Sequence, residues 1–427
     1  VKGDHGESEM EVRDVLVKVF EPGRLQMAWQ QVRKNAGAAG IDQMTVEDFA
    51  QREEQLLALI HDKLKSGNYR FQPARRVLIP KQGTSRMRKL GIPVVMDRIV
   101  GVSMHSVLEE IFDLDFTASN FGFRRGRSQH QAIRHVQRLV KEGREWAVAV
   151  DLKSFFDEIP HGLIQKLIRR KVADEQFVIL LTRLLKAGVI VNGAFEKTTK
   201  GCPQGSPLSP MLSSIVLNEL DHKLEERSLG YCRWADEFVI VVRSERAAHR
   251  VMAGTIRYLE EDLGLRVNQE KSQVAAIKEI TFLGFQLLRG KIRVSNKAQL
   301  RFKDRVRDLT HRNNPLSMYQ VIHELSIYLR GWVGYFGIQE FKYLFRNLDA
   351  WIRSRLRSTQ LKKWKNPRKF QRIMIKAGFD PKEAHRIWIK MNRWQSVMSS
   401  YSGDSDHLYW FYSIIRSSQR DELIVSL

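Results

Sequence analysis

Two apolar runs that read as buried strands each carry acid at one end, and this combination constrains the fold more than any other feature of the chain. The first, "WAVAVD", closes on Asp151; the second, "YCRWADEFVIVV" (Tyr231 to Val242), is interrupted by the adjacent pair Asp236 and Glu237. A short, continuous apolar run suits a strand covered on both faces. In a regular strand neighbours point to opposite faces, so bringing Asp236 and Glu237 near one point requires a tight hairpin turn between "YCRW" and "FVIVV". Two readings of these acids stand side by side. In one they are ordinary strand-end and turn residues, a role Asp favours because it hydrogen-bonds to nearby backbone. In the other Asp151 approaches Asp236 across the sheet, and two divalent cations about 3.5–4 Å apart bridge them for in-line phosphoryl transfer. Mg²⁺ fits that second reading better than zinc, because it prefers oxygen ligands and keeps waters that substrate phosphates displace.

Charge narrows the partners. The 71 Lys and Arg residues outnumber the 48 Asp and Glu residues, giving a formal charge of +23 and a pI near 10.0. Extended positive faces must follow, and nucleic acid is the natural polyanionic partner. No apolar run approaches the roughly 20 residues that a membrane span requires. The opening "VKGDHGESEM" lacks a signal-peptide pattern, so a cytoplasmic protein, in the bacterial cytosol or with the nucleoid, is expected. Cys202 and Cys232 are too few for a disulfide framework and lack the paired spacing of a zinc site.

Along the chain, residues 11 to 70 read mainly as helices, with a capping box in "TVEDF" and a stop at Gly67. "ARRVLIPK" and "MRKLGIP" predict a basic two-stranded hairpin, followed by a helix from about Met96 to Phe112. Helices are expected over 161 to 188, interrupted near the middle. "TKGCPQGSPLSP" (Thr199 to Pro210) predicts a shaped loop, and "ITFLGFQLLRGKIRVS" (Ile280 to Ser295) short strands. Beyond about 300 the pattern is helical and basic. Mixed strands and helices followed by helices alone predict an α+β domain and then an α-helical module.

The order of motifs adds a resemblance. "GAAGIDQMTVEDF", "RRVLIPK", "RKLGIPVVMDRIV", "SNFGFRRGRSQHQA", "VAVDLKSFFDEIPH", "KGCPQGSPLSPMLSSIVLNELD", "CRWADEF", "LRVNQEKS", "FLGFQL", "YLRGWVGYF" and "LDAWIRSRLR" follow one another across roughly residues 10 to 375. In this order they resemble the group II intron reverse transcriptase/maturases, in particular the compact class without a C-terminal endonuclease. The resemblance implies an α+β right-hand polymerase whose fingers and antiparallel-sheet palm precede an α-helical thumb. The expected divisions are 1–80 for a helical extension and the start of the fingers, 81–295 for the fingers and palm, 296–375 for the thumb or maturase domain, and 376–427 for a small DNA-binding segment. The implied activity is RNA-directed DNA synthesis from dNTPs on an RNA template with a DNA or RNA primer, together with binding of intron RNA and target DNA. Two Mg²⁺ ions, with Mn²⁺ able to substitute, are the implied cofactors, and a monomer or homodimer the implied state.

By the same resemblance Asp151 falls on the first metal-binding aspartate, and Asp236 and Glu237 on the acidic pair of the Tyr-Ala-Asp-Asp turn. Phe156 falls on the steric gate that excludes a 2′-hydroxyl. Arg75, Lys81, Gln204 and Lys271 fall on side chains around the incoming dNTP, and Gly205 lets backbone approach nucleic acid. Arg124, Arg125 and Arg127, with Arg353, Arg357, Lys362, Lys363 and Lys365 in the helical module, are expected on template-primer or intron RNA. Trp332 and Trp351 are expected in the core of that module. The departure from the family pattern is Trp234-Ala235-Asp236-Glu237. Glu237 keeps the charge but reaches one methylene further, and displacements of about 1 Å can cost roughly 10²-fold where catalysis depends on positioning. The resemblance implies that the metals rest chiefly on Asp151 and Asp236, so the second acid tolerates replacement and polymerase activity is expected to remain, in weakened form. A maturase whose polymerase site has decayed, and a domesticated enzyme of host DNA repair, are the two alternatives.

Overall fold

The computed structural model describes residues 12–80, 87–203, 205–364, 366–376 and 378–392. Lys81, Gln204, Lys365 and the segment past residue 392 lie outside the described residues. The chain forms two compact units. The first runs to Gln299 and takes in Ile338–Glu340; the second comprises Leu300–Gly337 and the residues from Phe341 onward.

Among its described residues the first unit carries ten strands: β1 (Ala74–Pro80), β2 (Met87–Ile92), β3 (Trp146–Val150), β4 (Val189–Val191), β5 (Ala194–Glu196), β6 (Gly230–Trp234), β7 (Glu237–Val242), β8 (Gln273–Ala276), β9 (Phe285–Leu288) and β10 (Lys291–Val294). One four-stranded sheet has the order β2-β1-β4-β5, the other β6-β7-β3-β8, and β9 pairs with β10. The basic hairpin foreseen at 74–93 is β1–β2, paired from Arg75↔Ile92 to Pro80↔Met87, so a division at residue 80 would fall inside it. β4, β5 and β8 are only three or four residues long and carry no clear alternation, which is why the sequence reading passes over them.

The second sheet holds the site. β3 lies in its middle, antiparallel to β7 on one side and β8 on the other. Ala147, Val148 and Val150 of β3, and Phe238 to Val242 of β7, are buried. Such burial of consecutive residues demands cover on both faces, and the apolar runs supply it without a polar residue out of place. Helices Val95–Phe112 and Ser209–Glu226 belong to the same core and carry buried residues over most of their circumference.

Capping explains several helix boundaries. Thr45 and Asp48 form the reciprocal box expected in "TVEDF", but it caps only a short helix, Val46–Ala50, and a second helix, Glu53–Lys65, follows it. Gly67, at φ 68°, ends that second helix. The expected interruption between 161 and 188 falls where Asp174 caps Glu175–Leu185 by accepting from the Phe177 amide.

The second unit is helical throughout its described residues, with Asn296–Leu309 leading in from the first unit, then Met318–Phe336, Tyr343–Trp364, Pro367–Lys376 and Pro381–Asn392. Phe302 and Trp332 pack with ring centres 4.3 Å apart, alongside buried Val306, Val321 and Leu325. Trp332 is thus core, while Trp351 is half-buried with the Arg307 guanidinium over its ring. No helix among the described residues is long and apolar enough to cross a membrane.

One buried acid ties the first sheet's approach to the core. Asp97, in the first turn of Val95–Phe112, accepts from Tyr69 Oη and the Gln72 amide, each at 2.8 Å. Burial raises its pKa to about 7, against the opposing pull of those two donors. A carboxyl pKa raised on folding contributes stability that is full below about 3.8 and is lost as pH rises through about 7. Relative to Asp97→Asn, the wild-type chain should lose stability between those limits by up to about 1.4 kcal/mol per pH unit. Urea unfolding of both proteins from pH 5 to pH 8 measures it.

Candidate active site at the acidic turn

The turn between β6 and β7 is the point on which the candidate site converges. Trp234 pairs with Glu237, leaving Ala235 and Asp236 as a two-residue hairpin loop. Ala235 takes φ 57°, the left-handed region that two-residue hairpins favour and that Gly enters most easily. For Ala the strain is roughly 1–2 kcal/mol.

Contacts from two sides hold that strained turn. Arg233 and Asp221 form a fully buried ion pair, with Arg233 Nε 2.9 Å from both carboxylate oxygens and Nη2 2.5 Å from Oδ2. The remaining guanidinium nitrogen, Nη1, donates to the Ala235 carbonyl at 3.1 Å. From the other side, residues 119–122 run beside β6: the Arg233 amide donates to Ser119 O and the Phe121 amide to Arg233 O, both at 2.9 Å. Gly122 then lies so close that a Cβ would fall 2.2 Å from the Ala235 amide nitrogen. Only glycine fits there without displacing the turn.

Burial raises the Asp221 carboxyl pKa, and the adjacent Arg233 guanidinium opposes the rise. A fork geometry with three short contacts to an always-charged guanidinium favours the ionised carboxylate against that rise. Sequence reasoning missed both residues. The available signal was a charge inside the apolar strand "YCRW" and an acid on the apolar helix "LNELDHKL".

β3 delivers Asp151 to the same place. Val150, the last residue of β3, is the register partner of Phe238, the residue after Glu237, so the chain leaves β3 at the end of the sheet that carries the acidic turn. The segment before β8 closes the site from the far side. The Asp151 amide donates to Ser272 Oγ at 3.0 Å, and Asp151 Oδ2 accepts from Asn268 Nδ2 at 3.0 Å and lies 3.2 Å from Lys271 Nζ. Asn268 and Ser272 were missed as site residues although they flank Lys271 within "NQEKS". The Lys271–Asp151 pair is 55% and 42% exposed, so solvent screening limits it to about 0–1 kcal/mol. A divalent cation can displace it at little cost.

Glu237 behaves differently from its neighbours. It is exposed by surface area, yet it sits in a recess dense enough that desolvation raises its carboxyl pKa. The Leu283 amide, donating to Oε1 at 3.2 Å, lowers the pKa, while the charges of Asp236 and Asp151 raise it again. That mutual influence puts the three carboxylates in one neighbourhood. They do not form a closed cage: among the described residues no three His, Cys, Asp or Glu side chains are grouped to hold a metal ion. The donor set is hard carboxylate oxygen, open to solvent at Asp151. It suits Mg²⁺, which binds through one or two carboxylates plus substrate phosphates, and not a zinc cage.

The other expected residues differ in how far the fold engages them. Phe156 is half-buried against Phe155, with ring centres 5.4 Å apart, and its carbonyl accepts from the Cys202 amide at 2.6 Å. Gly205, at φ 107°, lies against Gly91 of β2, where a Cβ would fall 2.1 Å from the carbonyl oxygen. Its close backbone approach is therefore to protein, where the sequence reading assigned it to nucleic acid. Arg75 donates through Nε and Nη2 to the Ala39 carbonyl, which leaves Nη1 for any phosphate. Arg124 is consumed internally: it pairs with Asp113 and donates to the carbonyls of Asp113, Phe116, Thr117 and Asn120, holding the loop that presents Gly122. Arg125 and Arg127 remain exposed, the first beside Glu109 and the second over the Phe121 ring. In the helical unit Lys363 caps the carbonyls of Asn314 and Leu316, and Arg353 pairs with Asp349 one turn back. Arg357 is half-buried and Lys362 exposed.

The sheet thus carries an acid at the end of β3 and two more at the β6–β7 hairpin, hard oxygen donors at one end of an antiparallel sheet. Residues 79–287 match the family described as reverse transcriptase (RNA-dependent DNA polymerase), and residues 299–378 match the group II intron, maturase-specific domain. The chain is 35% identical over 299 residues to Protein YkfC of Escherichia coli K12, covering 61% of this chain and 78% of that protein. It is 32% identical over 273 residues to the group II intron-encoded protein LtrA of Lactococcus lactis subsp. cremoris, covering 62% of this chain and 44% of LtrA. It is 28% identical over 319 residues to the putative COX1/OXI3 intron 1 protein of Saccharomyces cerevisiae, covering 62% of this chain and 38% of that protein. The chain belongs to the group II intron reverse transcriptase/maturase family, and it spans less than half the length of LtrA and of the yeast relative.

Asp221→Ala would leave Arg233 buried without a counter-charge. A loss of about 3–5 kcal/mol of unfolding free energy is expected, the range for a broken buried ion pair. A urea midpoint within error of wild type would show that the pair does not support the turn.

Proposed function

We propose that this protein is an RNA-directed DNA polymerase of the group II intron type, which adds dNTPs to a primer 3′-hydroxyl and also binds intron RNA as a splicing and mobility cofactor. The observation that supports this reading is the β3–β7 register, which ends with Val150 opposite Phe238 and so brings the chain at Asp151 to the end of the sheet that carries the acidic turn.

In this reading Asp151 and Asp236 hold the divalent cations. Bound Mg²⁺ supplies an activated 3′-oxygen nucleophile and neutralises charge on the leaving pyrophosphate. Lys271 balances the Asp151 carboxylate and, being more than half exposed, would be able to reach substrate phosphate. Asn268 and the Ser272 hydroxyl keep Asp151 aimed, the first through its carboxylate and the second through its backbone amide. Phe156 fills the space beneath the nucleotide sugar and excludes a 2′-hydroxyl. Arg75 Nη1, Lys81 and Gln204 serve the incoming nucleotide. Arg125, Arg127, Arg357 and Lys362 contact phosphates along the template-primer or intron RNA, which fixes position without reading sequence. The net charge of +23 supports a partner of this kind.

Primer extension on an RNA template with Mg²⁺ and dNTPs tests the reading. Synthesis by the wild-type chain, and a loss of at least roughly 10²-fold in Asp151→Ala, are expected where positioned metal ligands are removed. Equal, background-level synthesis by both would leave an RNA-binding maturase without polymerase activity. Binding to primer-template RNA should also weaken steeply between about 50 and 200 mM salt, by about 10³-fold or more if roughly six or more phosphates are contacted. A flat affinity across that range would contradict the phosphate contacts.

A further inference from the structure

The short loop before β9 is a tight turn with an unusual occupant. Phe282 and Phe285 exchange both backbone hydrogen bonds at 2.9 Å, which leaves Leu283 and Gly284 as its two central residues, at φ 50° and 79°. A hairpin turn with positive φ at both central positions selects Asn, Asp or Gly at the first of them. Leu283 meets that requirement at a strain of roughly 1–2 kcal/mol. Neither of the turn's own two bonds uses the Leu283 amide, and that amide donates to Glu237 Oε1 at 3.2 Å.

The reach of the glutamate decides this contact. The Glu237 backbone is fixed by its pairing with Trp234. An aspartate on the same backbone would end about 1.5 Å short, one carbon–carbon bond, and out of hydrogen-bonding range of Leu283. The carboxyl that the resemblance assigns to metal is thus directed at residues 282–285, and Asp151, Asp236 and Glu237 do not close into a metal cage. The same β9–β10 hairpin is fastened elsewhere by a second acid of the same kind: Glu340 Oε2 accepts from the Ile292 amide at 2.6 Å and from Gln137 Nε2 at 2.7 Å.

We infer that Glu237 is a positioning residue that fastens the Phe282–Phe285 turn to the acidic turn, its carboxylate committed to the Leu283 amide and not to a cation. The statement about cations depends on the polymerase reading above; the anchoring role does not. It also accounts for the departure from two aspartates, because the longer side chain does a different task from the aspartate it replaces.

Glu237→Gln and Glu237→Asp separate the two roles. Gln keeps the acceptor oxygen and loses the charge; Asp keeps the charge and loses the reach. For an anchor, Glu237→Gln should extend primers at close to the wild-type rate with an unchanged Mg²⁺ requirement, and Glu237→Asp should fall by up to roughly 10²-fold, the cost of about 1 Å of misplacement. For a metal ligand the order reverses, with Glu237→Gln inactive and needing more Mg²⁺, and that order would overturn the inference. Hydrogen–deuterium exchange of the peptide spanning 281–288, without metal or substrate, is the second readout. Faster exchange in Glu237→Asp, with Glu237→Gln and Asp151→Ala at the wild-type rate, supports the anchor even if the chain makes no DNA. Exchange at the wild-type rate in all three variants overturns it.

Discussion

The buried pair of Arg233 and Asp221 is the interaction on which the candidate site depends. A two-residue hairpin with Ala235 at positive φ has no reason to hold one conformation by itself. The guanidinium beneath it donates to the Ala235 carbonyl while its other nitrogens are locked on Asp221, so the turn is fixed to a long core helix. Such a pair adds little net stability compared with apolar residues of the same volume, because desolvation offsets most of the Coulomb attraction. Its value is directional. The Arg124 network works from the opposite side, with Nε and Nη2 on Asp113 and Nη1 on the carbonyls of Phe116, Thr117 and Asn120, in the loop that sets Gly122 against Ala235.

Around that fixed point the acids are held with graded firmness. Asp151 is aimed by Asn268 and by the backbone contact to Ser272, and balanced only by an exposed lysine. An exposed pair is weak enough to exchange for a cation and strong enough to limit repulsion among neighbouring carboxylates. Glu237 is committed to the Leu283 amide. The open side of the site faces solvent, which is what a site must do if phosphates of a second molecule are to complete the coordination of Mg²⁺.

Much of this was legible in the sequence, and for identifiable reasons. The apolar runs "WAVAV" and "FVIVV" announce central strands, and two residues between paired strands leave room only for a hairpin, so the convergence of Asp151 with Asp236 and Glu237 could be anticipated. Long helices such as Val95–Phe112 were equally visible. What could not be read was the allocation of charges. Arg124 and Lys363 look like free cations in one dimension and turn out to hold carbonyls. Their partners, Asp113 for the first and Asn314 and Leu316 for the second, are set by how the chain folds back on itself. Gly205 was read as making room for nucleic acid, while the backbone it makes room for is that of Gly91, far earlier in the chain.

The central claim is that Asp151 and Asp236 hold divalent cations in common. Anomalous diffraction from crystals grown with Mn²⁺, primer-template and a non-reactive dNTP analogue measures this directly. The account predicts manganese density in contact with carboxylate oxygens of both residues, with Glu237 still on the Leu283 amide. Density coordinated elsewhere, or the two aspartates turned away from any shared ion, would contradict it.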